Sequence, residues 1–101
     1  MVVKVAEVLK KDKNLKGRAL GSALGNIVKP YDTLDFLGAV SEINEAVIGE
    51  FFRTFVKKNR KEDVTTLKFI NTTKLIDLWI HSAMYKTAKK LYLKEKGGVV
   101  C

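Results

Sequence analysis

Residues 32–58, DTLDFLGAVSEINEAVIGEFFRTFVKK, carry the strongest periodic pattern in this sequence of 101 residues. Apolar side chains recur at steps of three or four, which is the spacing of one face of an α-helix: Phe36, Val40, Ile43, Val47, Phe51 and Phe55. A second set widens this stripe into an arc that can face more than one neighbour: Leu37, Ile48, Phe52 and Val56. Asp32 stands where an N-cap belongs and Lys57 and Lys58 where the helix should end. The pattern predicts one long helix.

The segments on either side also carry helical spacing. Residues 2–9 predict a short amphipathic helix, and residues 15–29 a second one that stops before Pro30. Residues 64–70, VTTLKFI, are predicted to form a short helix, with a strand as the alternative because the first three residues are β-branched. A last helix, capped by Asn71 or Thr72, is expected to run to about residue 94.

These elements together predict an all-α fold, a small bundle of four to five helices. We expect one helical domain over residues 1–96, since the chain has the length of a single small domain. Gly97 and Gly98 should stop the last helix and leave residues 97–101 as a flexible tail.

Residues 17–26, GRALGSALGN, place three glycines four positions apart. The stretch lacks the spacing and the lysine of a phosphate-binding P-loop. Lys16, Arg18 and Lys29 are incompatible with an apolar membrane span. The glycines therefore favour a smooth helix ridge for close packing. The neighbour would be the long helix of the same chain, a second copy, or a nucleic-acid backbone beside Arg18.

Charge is strong and uneven. The formal net charge is +8, yet residues 32–50 contain five acidic and no basic side chains. A basic balance of this kind favours a polyanion as partner, although a solvated lysine face is an equally simple explanation. Lysines greatly outnumber the three arginines and glutamine is absent, which favours contact with nucleic-acid backbone over reading of bases. The candidate nucleic-acid-binding residues are Lys16, Arg18, Arg53, Lys57, Lys58, Arg60, Lys61, Lys86, Lys89, Lys90 and Lys94.

Residues that carry chemistry are scarce. His81 is the only histidine and Cys101 the only cysteine, so neither a metal-binding pair nor a Cys–His nucleophile can be assembled. We expect no catalysis, no cofactor and no metal. Tyr31, Tyr85 and Tyr92 either stack on bases or bridge core and water. No secretory signal or membrane span is visible, which predicts a cytoplasmic protein that does not enter the membrane.

The order of these features resembles a known family. YDTLDFLGAVSEINEA opens the long helix, KKNRKEDV forms a basic break, and IHSAMYKTAKKLYL closes the chain with small and apolar residues. This arrangement over residues 31–93 resembles the small subunit of the archaeal type I-A CRISPR interference complex, Cascade. The resemblance implies a non-catalytic helical-bundle subunit, present in several copies within an antiviral ribonucleoprotein. Its basic residues, here Arg53, Lys57, Lys58 and Arg60, would contact RNA or DNA backbone.

Two other functions remain open at this stage. The apolar arcs would also suit an archaeal viral nucleoprotein or another self-assembling structural protein, in which charge is secondary. Alternatively, the acidic segment 32–50 would dock the basic surface of a neighbour, as in a plain protein-interaction module.

Overall fold

A computed structural model describes residues 1–87 of the chain. Within these residues a three-stranded sheet is combined with four α-helices and two 3₁₀ turns. The elements follow in the order β1 (Val2–Lys4), α1 (Val5–Lys11), α2 (Gly17–Ile27), β2 (Thr33–Asp35), a 3₁₀ turn (Val40–Glu42), α3 (Glu45–Lys58), a second 3₁₀ turn (Lys61–Thr66), β3 (Lys68–Ile70) and α4 (Lys74–Thr87).

The all-α prediction is wrong, because β1, β2 and β3 form a parallel sheet with β2 in the centre. The register places Val3 beside Leu34 and Leu34 beside Phe69. Each strand has only three residues. A run of that length is too short to display the two-residue period by which a strand is recognised in a sequence.

The helices cover one face of the sheet. Val3 and Leu34 are buried in the same core as the apolar side chains of α2 and α3, and Phe69 packs against that core. On the other face the edge strands reach solvent, since Val2, Lys4, Lys68 and Ile70 are exposed, whereas Asp35 of the central strand is buried. The helices thus form one layer on one side of the sheet.

The single long helix predicted over residues 32–58 is also wrong. The segment forms β2, a loop with a 3₁₀ turn, and then α3. Gly38 has a φ of +79°, which no residue of a continuous helix adopts. Asn44 caps α3 by accepting a hydrogen bond from the Val47 N–H at 3.0 Å. Asp32, the expected cap, instead accepts the Lys29 N–H at 2.9 Å.

The apolar pattern of this segment nevertheless predicts burial well. Phe36, Phe51 and Phe55 are fully buried, although Phe36 lies in the loop rather than in the helix. Two residues of the predicted arc are exceptions, since Leu37 is 67% exposed and Val40 is 38% exposed. Hydrophobicity thus identifies core residues on both sides of the loop, whereas the apparent helical period across the loop is accidental.

The glycine ridge of α2 packs against α3 of the same chain. A Cβ atom at Gly21 would collide with the Val47 carbonyl oxygen, and one at Gly25 would lie 2.7 Å from the Thr54 Cβ. Both positions are buried. Gly17 takes no part in this contact: it begins α2 with a φ of +53° and open space beside it. Of the three expected neighbours, the structure selects the helix of the same chain.

The end of the described chain follows its prediction in part. The strand alternative is right for residues 68–70, which a 3₁₀ turn precedes. The cap of α4 is Thr73, whose hydroxyl accepts the Ile76 N–H at 3.1 Å, rather than Asn71 or Thr72. The predicted end of this helix near residue 94 and the predicted tail over residues 97–101 lie outside the described residues.

Candidate nucleic-acid interface

A cleft of about 370 Å³ lies between α3 and α4, beside the second 3₁₀ turn. Its lining combines cationic, aromatic, apolar and small polar side chains with one acidic side chain, Glu45; the lining residues are Glu45, Gly49, Phe52, Arg53, Val56, Lys61, Trp79, Ser82, Ala83, Lys86 and Thr87. Three of the eleven predicted nucleic-acid-binding residues are among them, one each from α3, the 3₁₀ turn and α4.

Helical spacing explains how these residues come together. The lining positions of α3 are 45, 49, 52, 53 and 56, and those of α4 are 79, 82, 83, 86 and 87. Steps of three and four place each set on one face of its helix, so the two faces look at each other across the cleft. Lys61 joins them because the chain turns back into the second 3₁₀ turn directly after α3.

Arg53, Lys61 and Lys86 form the cationic part of this cleft, and all three are exposed. The Arg53 guanidinium donates a hydrogen bond to Glu50 Oε1 at 3.3 Å. That side chain is 62% exposed, so the ion pair is weak and its guanidinium can turn to another anion. Within residues 1–87 neither Lys61 nor Lys86 enters an ion pair.

Three further predicted residues lie close to the cleft in sequence but do not line it. Lys57 and Lys58 are exposed in the last turn of α3. Arg60 directly precedes the second 3₁₀ turn, and its side chain is 78% exposed. Its guanidinium Nη2 lies 3.7 Å from Asp63 Oδ1. They extend the positive charge past the end of α3 without converging on one point.

Lys16 and Arg18 are not part of this group. The glycine contacts pair Gly21 with Val47 and Gly25 with Thr54, so α2 and α3 run in the same direction. Lys16 and Arg18, at the start of α2, therefore lie near the start of α3 and about 20 Å from its basic end, given 1.5 Å of rise per residue. Lys89, Lys90 and Lys94 lie outside the described part of the chain.

Trp79 is the functional candidate that sequence reasoning missed. Its place among the apolar residues of the last helix predicts a core side chain, and Trp79 does pack against the core while also lining the cleft. None of the tyrosines proposed for stacking is among the residues that line the cleft. Tyr31 is 78% exposed, Tyr85 is half-buried on α4, and Tyr92 lies outside residues 1–87. The signal that could have identified Trp79 is its position seven residues before Lys86, on the same helix face.

A hydrogen-bonded group around Asp35 lies at the carboxyl edge of the sheet. This is the edge at which ligands bind in many open parallel sheets. Asp35 Oδ1 accepts hydrogen bonds from Asn71 Nδ2 at 2.8 Å and from the Leu37 N–H at 2.9 Å. These two bonds, with a smaller contribution from the Lys4 ammonium, hold the pKa of Asp35 below its usual value. The carboxylate ties β2 to the turn after β3, so its role is structural.

The residues expected for other chemistry do not assemble. No group of three His, Cys, Asp or Glu side chains within residues 1–87 is placed to hold a metal ion. His81 is exposed on α4, and Cys101 lies outside the described range. None of the helices described here is long and apolar enough to cross a membrane.

Comparison of the chain with family models, with curated proteins and with solved structures finds no match. Functional inference therefore depends on the geometry of the cleft and on the charge around it.

Proposed function

We propose that this protein binds the phosphate backbone of nucleic acid through the cleft between α3 and α4, as a non-catalytic subunit of a larger assembly. The observation that carries this proposal is the convergence of Arg53, Lys61 and Lys86, from three separate elements, on one cleft. Isolated surface lysines would not require such convergence.

The electrostatics suit a polyanion. A chain with a formal net charge of +8 attracts phosphate over a distance of about 8–10 Å at physiological salt. Lys57, Lys58 and Arg60 then supply positive charge beyond the cleft, where a backbone that leaves it would pass. Lysines act as point charges toward phosphate and carry no sequence preference, so binding should not depend on base sequence.

The narrower role depends on the resemblance to the type I-A CRISPR small subunit. That resemblance implies a helical bundle, whereas the observed fold contains a parallel sheet. Membership of that antiviral complex, several copies per complex and a cytoplasmic location therefore remain predictions. Purification of the tagged chain from its host, with identification of the co-eluting proteins and nucleic acid, tests them directly.

Charge reversal at the cleft tests the binding itself. The double variant Lys61→Glu/Lys86→Glu should weaken nucleic-acid binding at least about tenfold at 100 mM salt and reduce the salt slope by roughly 0.7–0.9 for each lost phosphate contact. Lys10→Glu/Lys13→Glu, on exposed residues outside the cleft lining, makes the same change in net charge and serves as the control. Equal losses in the two variants would mean that overall charge, not the cleft, binds the ligand.

A self-assembling structural protein, such as an archaeal viral nucleoprotein, is the second candidate function. Leu75 and Leu78 on α4 favour it, because they are 54% and 63% exposed and lie on one helix face. Light scattering of the purified protein without nucleic acid should then show filaments or large shells. Leu75→Glu/Leu78→Glu should abolish them, and a monomer at all concentrations would eliminate this candidate.

A further inference from the structure

The cleft has more apolar and aromatic lining than phosphate binding alone requires. Resting on the function proposed above, we infer that the α3–α4 cleft holds one unpaired nucleobase, stacked on the Trp79 indole, while Arg53, Lys61 and Lys86 bind the attached phosphates. The ligand is then a base with its phosphates, presented by a single strand or by a free nucleotide.

The apolar lining is the first argument. On α3 the half-buried Val56 supplies the accessible apolar surface, with the almost fully buried Phe52 behind it. Trp79 and Ala83, both half-buried, form the wall on α4. A hydrated phosphate gains nothing from these surfaces, whereas the faces of a nucleobase are apolar and stack on aromatic rings.

The distribution of charge along α3 is the second argument. Glu45 is the first residue of α3, whereas Lys61 comes three residues after its last residue, Lys58, so the acidic and the basic side chain lie toward opposite ends of the helix. Phosphates are repelled at the Glu45 end and attracted at the Lys61 end. The Glu45 carboxylate is in turn an acceptor for the amino groups that a base carries on its edge.

The cleft is open at the backbone one turn into α3. Gly49 lines the cleft four residues after Glu45, and a Cβ placed there would meet no atom within 4 Å. The volume of about 370 Å³ lies in the range of roughly 300–1,000 Å³ that small ligands occupy in proteins. Bases in a duplex are stacked and paired, and they reach such a pocket only when they are splayed out.

Trp79 is the only tryptophan, so its fluorescence reports on the cleft alone. The test titrates the full chain with a single-stranded 12-mer, the same sequence as a duplex, adenosine monophosphate and inorganic polyphosphate. We expect the single strand to quench the fluorescence and to bind at least about tenfold more tightly than the duplex. Polyphosphate should compete for the cations without quenching. Quenching by adenosine monophosphate at a lower concentration than by the oligonucleotide would identify a free nucleotide as the source of the base.

Three variants separate binding of the base from binding of the phosphates, with affinity measured by the anisotropy of a labelled oligonucleotide. Gly49→Leu should fill the cleft and lower single-strand affinity about tenfold while leaving polyphosphate binding unchanged, since the added side chain projects into open space. Trp79→Leu should do the same, and Trp79→Phe should restore part of the affinity. Thermal melts followed by circular dichroism show that each variant is folded.

The outcomes distinguish this inference from the function on which it rests. Equal affinity for single strand, duplex and polyphosphate, with unchanged Trp79 fluorescence, would overturn the nucleobase site while phosphate binding stands. Absence of binding to all four ligands would overturn both. Loss of polyphosphate binding in the Gly49→Leu variant would also contradict the inference, because the base and the phosphates would then not occupy separate parts of the cleft.

Discussion

Helix α3 has two sides that are built in opposite ways. On the side facing α2 the two backbones approach so closely that Gly21 and Gly25 leave no room for a Cβ. On the side facing α4 an open cleft of about 370 Å³ remains, and a Cβ at Gly49 would meet nothing. The same helix thus contributes stability on one side and a candidate binding surface on the other.

This contrast shows that glycine has two distinct uses in one small fold. In the interior of a helix each glycine costs about 1 kcal/mol relative to alanine. At Gly21 and Gly25 that cost is offset by the close contact of α2 with α3, since both positions are buried. At Gly49 no neighbour lies within 4 Å of an added Cβ, so this glycine leaves its part of the cleft open without an offsetting contact. Substitutions of glycine on the two sides of α3 should therefore change the free energy of unfolding by different amounts and in opposite directions.

The largest effect is expected from Gly25→Val. The new side chain would overlap Thr54 and the Phe51 carbonyl oxygen, and it would force α2 away from α3, so we expect a loss of about 3 kcal/mol or more in the free energy of unfolding. Urea denaturation followed by circular dichroism measures it. Ala19→Val, at an exposed position of the same helix, controls for the helix propensity of valine. A loss of less than about 1 kcal/mol in the free energy of unfolding would mean that the backbones of α2 and α3 are not in close contact in solution.

Alanine at Gly21 and at Gly49 should act in opposite directions. Gly21→Ala would place a Cβ against the Val47 carbonyl oxygen, with an expected loss of about 1–3 kcal/mol. Gly49→Ala should raise stability by up to about 1 kcal/mol, because the methyl group meets no neighbour and alanine favours the helix. Urea denaturation of both variants measures the two changes in the free energy of unfolding. Destabilisation by Gly49→Ala would show that the cleft is closed in solution.

Asp35 provides a test that touches neither side of α3. Its pKa is lowered in the folded protein, so the carboxylate stabilises the fold above the unfolded value near 3.8, and this contribution is lost as the pH falls through the folded value. Asp35→Asn should therefore reduce the thermal stability at pH 7, and the difference from the unsubstituted protein should shrink below about pH 3.8. Thermal melts from pH 7 to pH 2.5 measure this. A difference that is constant with pH would contradict the charged role of Asp35.

The smallest effect on stability is expected at the cleft cations. Lys61→Glu/Lys86→Glu should leave the free energy of unfolding within about 0.5 kcal/mol per substitution, because both side chains are exposed. The same variant should lose nucleic-acid affinity, so stability and binding would separate cleanly. A large loss of stability would show instead that these lysines hold α3 and α4 together.

Part of the cleft could be predicted from the sequence. Charge alone identified Arg53, Lys61 and Lys86 as candidates, because long basic side chains remain at the surface whatever the fold. It could not separate them from Lys16 and Arg18, since the direction of α2 relative to α3 is set by the sheet. Trp79 was missed because a tryptophan on an apolar helix face has the same pattern whether it is enclosed or lines a cleft.

The sequence by itself indicated most of the core residues, the approximate bounds of α2, the end of α3 and the approximate start of α4, and it favoured close packing by the glycines of α2. These properties are local, since they follow from the spacing of side chains within one segment. Only the tertiary structure decided that three short strands pair in parallel and that α3 begins at Glu45. Pairing joins Lys4, Asp35 and Ile70, which are more than thirty residues apart in sequence. No local pattern encodes such a contact, because strands of three residues are stabilised by their neighbours and not by their own sequence.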